Sequence, residues 1–139
     1  MSEALPPIVQ FSEDVASQKP PEPLPVGEYP ATIRSASVKR SQRNTLYGQV
    51  DYFIDPRAYP ADFTDGNPDG MILSYRRLAL EDTPQARYGV RKFWEKHNLR
   101  APGRQADVNE LVGAQAKIKI DHEEFEGMKR AVITAVNPA

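Results

Sequence analysis

Cysteine is absent from this 139-residue chain, and there are only two histidines and one tryptophan. Without cysteine there is no disulfide framework, no thiolate nucleophile and no cysteine–zinc site. A reducing interior suits such a chain, and a cytoplasmic location is expected. Long apolar runs are also missing: none approaches the roughly 20 residues of a membrane-spanning helix. No basic stretch followed by an apolar one opens the chain, so neither anchor nor secretory leader is expected. Charge of one sign does not dominate either, the formal net charge being −1. Within residues 1–26, Glu3, Glu13, Asp14 and Glu22 face Lys19 alone. Setting aside those four acids and one base leaves 17 basic and 15 acidic side chains, a net +2. That bias is mild, short of the strongly basic balance of many duplex-DNA binders.

Catalytic signals are equally scarce. His97 lies on a helical stripe, and His122-Glu123 starts like a zinc-protease motif but lacks a second histidine four residues on. No glycine-rich phosphate loop, nucleophile elbow or paired carboxylates stand on an assignable scaffold. Asp65-Gly66-Asn67-Pro68-Asp69-Gly70 matches the first six positions of a calcium-binding EF-hand loop, but the twelfth, which must be acidic, is Arg76. The stretch reads as turn chemistry. The expectation is a protein that is not an enzyme and holds no metal or cofactor.

Proline, by contrast, is plentiful, with 13 residues. Pro6-Pro7 and Pro20-Pro21-Glu22-Pro23-Leu24-Pro25 favour extended polyproline geometry, so residues 1–26 read as an arm carrying a small apolar cluster, Ile8, Val9 and Phe11. Residues 27–139 then form one domain, large enough for a core of its own.

Period-two alternation predicts the strands. The first runs from about Glu28 to Val38, with Tyr29, Ala31 and Ile33 on one face and Pro30 marking an edge or a strand start. Lys39-Arg40-Ser41-Gln42-Arg43-Asn44 follows as a basic loop. From Leu46 to Ile54 a second strand sets Leu46, Val50, Tyr52 and Ile54 against Tyr47, Gln49, Asp51 and Phe53. A long connection, Asp55 to Gly70, leads to a third strand over Met71–Leu80 containing Tyr75, Arg76 and Arg77. Thr83 and Pro84 then start a helix. Its apolar stripe is Ala86, Val90, Phe93, Trp94 and His97, with Arg87, Arg91, Lys92 and Lys96 read as a solvated outer surface. Asn98 and Pro102-Gly103 end it, and a short turn capped by Asp107 follows. Ala116, Ile118 and Ile120 begin a fourth strand; Asp121 to Gly127 is a polar, acidic loop; Met128 to Val136 is the fifth.

Three strands, a helix and two more strands is the pattern of the OB-fold, a five-stranded Greek-key barrel in which the helix plugs one end. The expected class is therefore mainly β, an OB-fold barrel with a proline-rich N-terminal arm. Such barrels bind oligomeric ligands on the second and third strands, between the first and fourth connecting loops. Here Arg34, Lys39, Arg40 and Arg43 would hold phosphates, Tyr47, Phe53 and Tyr75 would stack on bases, and Arg77 would assist. Cations that track a backbone beside rings that stack are what single-stranded nucleic acid requires. The acidic loop of Asp121, Glu123, Glu124 and Glu126 opposes this, since it repels phosphate.

Leu24-Pro25-Val26-Gly27-Glu28-Tyr29, Glu110-Leu111-Val112-Gly113, His122-Glu123-Glu124-Phe125-Glu126-Gly127 and the closing Val136-Asn137-Pro138-Ala139 resemble small phage-encoded single-stranded-DNA-binding proteins. The resemblance spans about residues 24–139, although Asp55–Gly70 is longer than in that family. It implies an OB-fold and a role coating single strands in phage replication or recombination, in the host cytoplasm. Single-stranded DNA is the expected partner, bound with little sequence preference, with self-association or replication and recombination proteins as further partners. RNA stays open, because neither stacking nor phosphate contact reads the 2′-hydroxyl. The alternative is a protein-interaction or structural accessory module that uses its exposed aromatics and arm.

Overall fold

Five antiparallel strands in the order β3-β2-β1-β4-β5 make up the sheet. They are β1 (Gly27–Arg40), β2 (Leu46–Ile54), β3 (Met71–Ala79), β4 (Gln115–Phe125) and β5 (Met128–Pro138), with one helix, α1 (Pro84–Lys96), between β3 and β4. The structure is a computed structural model that describes residues 4–139. The protein is mainly β, as its alternation predicts.

Each element follows from its residues. β2 alternates without interruption, Val50, Tyr52 and Ile54 being buried while Tyr47, Gln49, Asp51 and Phe53 are half-exposed. Pro30 sits where β1 is paired only with β4; pairing with β2 begins at Thr32. The missing N–H of proline therefore costs the sheet little. Thr83 caps α1 by accepting a hydrogen bond from Ala86 N, Pro84 occupies the first turn, and Asn98 beyond the end has φ 58°. Asp107 caps the short 3-10 turn Val108–Leu111 through Asn109 N. Within Asp55–Gly70, Asn67 Oδ1 accepts from Asp69 N and Asn67 O from Gly70 N. That is turn chemistry, as expected.

One core lies under the sheet, with Trp94, Tyr52, Leu24, Ile33, Ile54, Leu111, Ile118, Ile120 and Val50 fully buried. Leu24 shows that the packed fold begins within the proline-rich stretch. Its carbonyl accepts from His122 Nε2–H at 2.8 Å, and the Pro25 carbonyl from the Tyr29 hydroxyl at 2.7 Å. Upstream, Leu5, Ile8, Val9 and Phe11 remain exposed.

Two expectations change. The acidic loop of residues 121–127 is strand up to Phe125, and only Glu126 and Gly127 turn, at φ 51° and 78°. Positive φ at both central residues is the tight hairpin geometry that matches strand twist. This ribbon projects beyond the core, so neither face is apolar and the alternation that marks a strand vanishes. It is held instead by cross-strand pairs, Glu123 with Arg130 at 2.7 Å and Glu124 opposite Lys129.

The sheet, in turn, is not closed into a barrel. β3 and β5 approach one another, but no ladder joins them, and a cleft of about 370 Å³ separates them. Both edges are bulged near the cleft: Arg76 and Arg77 together oppose Gln49, and Thr134 is the extra residue of β5. A bulge bends its strand and interrupts its ladder. Arg76 and Arg77 line the gap on the β3 side, across from the Glu123–Arg130 pair.

His97 is a core residue, 3% exposed. Its Nδ1–H donates to the Phe93 carbonyl at 2.6 Å, and its Nε2 accepts from the Tyr52 hydroxyl at 2.7 Å. This pairing fixes a neutral tautomer. Burial pulls the His97 pKa below its ordinary value, with Lys96 adding to the effect and the Phe93 carbonyl opposing it. The unfolded chain therefore takes up a proton first, near pH 6.5. Stability from this group is full above that pH and is lost as pH falls toward the folded-state value. The urea midpoint should drop between pH 7.5 and 5.5, and His97→Gln should flatten that portion of the profile. An equal slope in the variant would show that other groups carry it.

Candidate nucleic-acid interface

The outer face of β1, β2 and β3, turned away from the core, gathers most of the predicted site. Cross-strand register sets Thr32 and Ile72 beside Phe53, Ser35 and Ser74 beside Asp51, and Lys39 and Ala79 beside Tyr47. Because β2 carries no bulge, Tyr47 and Phe53 stay on one face, about 20 Å apart along the strand.

At one end, Phe53 is met by Arg34. Arg34 is the extra residue of a bulge between Ile33 and Ser35, and its guanidinium lies 4.1 Å from the Phe53 ring centroid. Bulges re-aim side chains; here the bulge stacks a cation on an aromatic face, an attractive arrangement. One face of Phe53 is thus already covered, and the surface offered to a ligand there is the planar guanidinium itself. Gly70 packs so closely that a Cβ on it would collide with the same ring.

At the other end, Tyr47 is half-exposed and Lys39 lies across from it on β1. Arg43 projects from the turn between β1 and β2 and is exposed. Arg40 is placed differently: it opposes Leu46 rather than Tyr47, and its Nη1 donates to the Asn44 carbonyl and side-chain oxygen. It braces the turn instead of lying beside the ring. Lys39 and Arg40 also belong to β1 and not to the loop.

Tyr75 does not join this face. It opposes Val50 on the core side, half-buried, and stacks on Phe93 of α1 at 5.5 Å with 16° between the planes. Burial raises its pKa, with the Arg77 charge partly offsetting this. Arg77 shares that side of β3, whereas Arg76 lies close enough to Asp51 to bias its ionisation.

Asp51 is the residue that composition and motif did not single out. It stands between the two ring sites, two residues from Phe53 and four from Tyr47. Its Oδ1 accepts from Ser74 Oγ at 2.5 Å and Gln49 Nε2 at 3.3 Å, and its Oδ2 accepts from Ser35 Oγ at 2.8 Å. Partial burial would raise its pKa, but these three bonds and the Arg76 charge outweigh that and hold it below the usual carboxylate range. Asp51 therefore stays ionised and ties three strands together. Only the cross-strand register reveals this, since the partner serines come from β1 and β3. A fixed negative charge mid-face, flanked by Arg34, Lys39 and Arg76, favours phosphates at the rims and polar or planar groups at the centre.

Among the described residues, no group of three or more histidine or acidic side chains is arranged to hold a metal ion, and no helix is long and apolar enough to cross a membrane. Compared with protein-family models and with curated protein sequences, the chain matches none.

Proposed function

We propose that this protein binds single-stranded DNA with little sequence preference through the outer face of β1–β3, as a non-enzymatic OB-type module serving phage replication or recombination in the host cytoplasm. The observation that carries this is the pairing of planar groups with cations on one face, Tyr47 with Lys39 and Phe53 with Arg34. Stacking surfaces flanked by cations accept any base and hold any backbone. The OB assignment draws on the strand order, on the helix between β3 and β4, and on the approach of the β3 and β5 edges, which are the two strands a closed barrel would join. Neutralisation of Glu123 by Arg130 lessens the repulsion that the acidic ribbon would exert on phosphate. The resemblance of residues 24–139 to phage single-strand binders supports the biological setting.

The rim cations give the test. Replacing Lys39 and Arg43 together with Ala should weaken binding to all single-stranded sequences alike. It should flatten the slope of log affinity against log salt by about 1.4 units, at roughly 0.7 per phosphate contact. An unchanged slope would remove this rim from the interface. A second reading, a protein-interaction module, draws on the exposed apolar arm residues Leu5, Ile8, Val9 and Phe11. Binding through those residues would persist as salt rises, whereas phosphate binding would not.

A further inference from the structure

The cations of α1 fall into two sets. Arg87 pairs with Asp82, and Arg91 with Glu95 at 3.4 Å. On the side turned toward β3, Lys92 and Lys96 line a groove of about 380 Å³ together with Arg77, Tyr75, Phe93 and Gly89. Arg77 and Lys96 have no ion-pair partner among the described residues, and Lys92 reaches Glu95 only at 3.8 Å. Glu81 is the acid in the groove lining, so positive charge prevails there.

Gly89 is the second observation. Glycine inside a helix costs about 1 kcal/mol relative to alanine. Nothing within the fold calls for it, because a Cβ at this position would meet no atom within 4 Å. Its effect is to keep the groove open down to the helix backbone. The third is the β3 bulge, which sets two consecutive arginines at a free sheet edge: both line the β3–β5 cleft, Arg76 near enough to Asp51 to bias its ionisation and Arg77 reaching the groove as well. No strand pairs with β3 beyond that edge; the cleft between β3 and β5, which shares Tyr75 and Arg77 with the groove, connects the two sides.

We infer that the β3–α1 groove is a second backbone track for the same nucleic-acid strand, which leaves the outer face at Arg76, crosses the β3 edge and lays its phosphates along Arg77, Lys92 and Lys96. This rests on the single-strand reading above and extends it: the protein covers more nucleotides than the sheet face alone can hold. The occupant follows from charge complementarity and from continuity with the proposed face. Lys92 and Lys96 are then binding residues rather than a solvated helix surface.

The test uses the full chain and oligothymidylates of about 5 and about 16 nucleotides, near the ends of the site sizes that single OB-type modules cover. Two variants are compared with the natural protein, Lys92→Ala/Lys96→Ala and Gly89→Leu. The second fills the groove with a good helix former and leaves charge unchanged. On the 16-mer, the lysine variant should lose about 1.4 units of salt slope, which amounts to about 25-fold in affinity for each tenfold fall in salt. Gly89→Leu should weaken the 16-mer with its melting temperature retained. Both should bind the 5-mer as the natural protein does. Equal losses at both lengths would make the lysines a diffuse attraction and overturn the track, as would full 16-mer affinity in Gly89→Leu. Failure of the natural protein to bind either oligomer would overturn the single-strand reading itself, and the groove with it.

Discussion

Trp94→Ala should cost about 3–5 kcal/mol of folding stability, the range for removing a large buried aromatic and leaving a cavity. Trp94 is 0% exposed, packs edge-on to Phe93 at 6.4 Å and donates its indole N–H to Glu110 at 3.4 Å. It therefore ties α1 to the 3-10 turn that leads into β4. Its carbonyl also accepts from His97 N and Leu99 N, closing the helix beside the Tyr52–His97 pair. Domains of this kind have about 5–15 kcal/mol in all, so the loss reaches much of the total. A urea titration of the variant should show a midpoint far below that of the natural protein, with Trp94→Phe in between. A variant that kept its midpoint and lost nucleic-acid binding would place Trp94 on the ligand face instead.

Tyr47→Ala should weaken single-strand binding roughly five- to a hundred-fold, from about 1–3 kcal/mol per stacked base. Tyr47 is half-exposed on the outer face, away from Val50 and Tyr52, so melting should change only modestly. The salt slope should stay nearly intact, since no phosphate contact is removed. Phe53→Ala should behave differently because Arg34 covers its ring. Losing the ring frees the guanidinium as well, so affinity and salt slope should change together. Binding series at several salt concentrations, with melting curves on the same samples, separate the two. Normal affinity per folded molecule in Tyr47→Ala, with a large drop in melting temperature, would make that ring a core residue.

Much of the local structure was legible because it is governed by neighbours in sequence. β2 runs from Leu46 to Ile54 as its alternation predicts, and α1 begins where Thr83 and Pro84 cap it. The helix stripe also packs as read, with Ala86, Phe93, Trp94 and His97 buried. What escaped depends on partners distant in sequence. The β4–β5 ribbon beyond Asp121 has no buried face to impose alternation, and its stability comes from pairs such as Glu123 with Arg130. Tyr75 looked like a ligand ring because alternation tells which residues share a face, not which face meets the core; Phe93 decides that. Asp51 acquires its role only when β1 and β3 bring Ser35 and Ser74 to it. The two bulged edges beside the β3–β5 cleft likewise leave no mark in composition or spacing.

The most direct measurement is a titration of the full chain with single-stranded DNA, duplex DNA and single-stranded RNA of equal length, repeated at several salt concentrations. Binding through the outer face requires clear preference for single-stranded DNA over duplex, because a paired base offers no free face to Tyr47 or to the Arg34–Phe53 pair. The logarithm of affinity should also fall linearly with log salt, at about 0.7 units of slope for each phosphate held. Single-stranded RNA should bind as well wherever stacking and phosphate contacts dominate. Equal and weak binding to all three polymers would contradict single-strand recognition by this face.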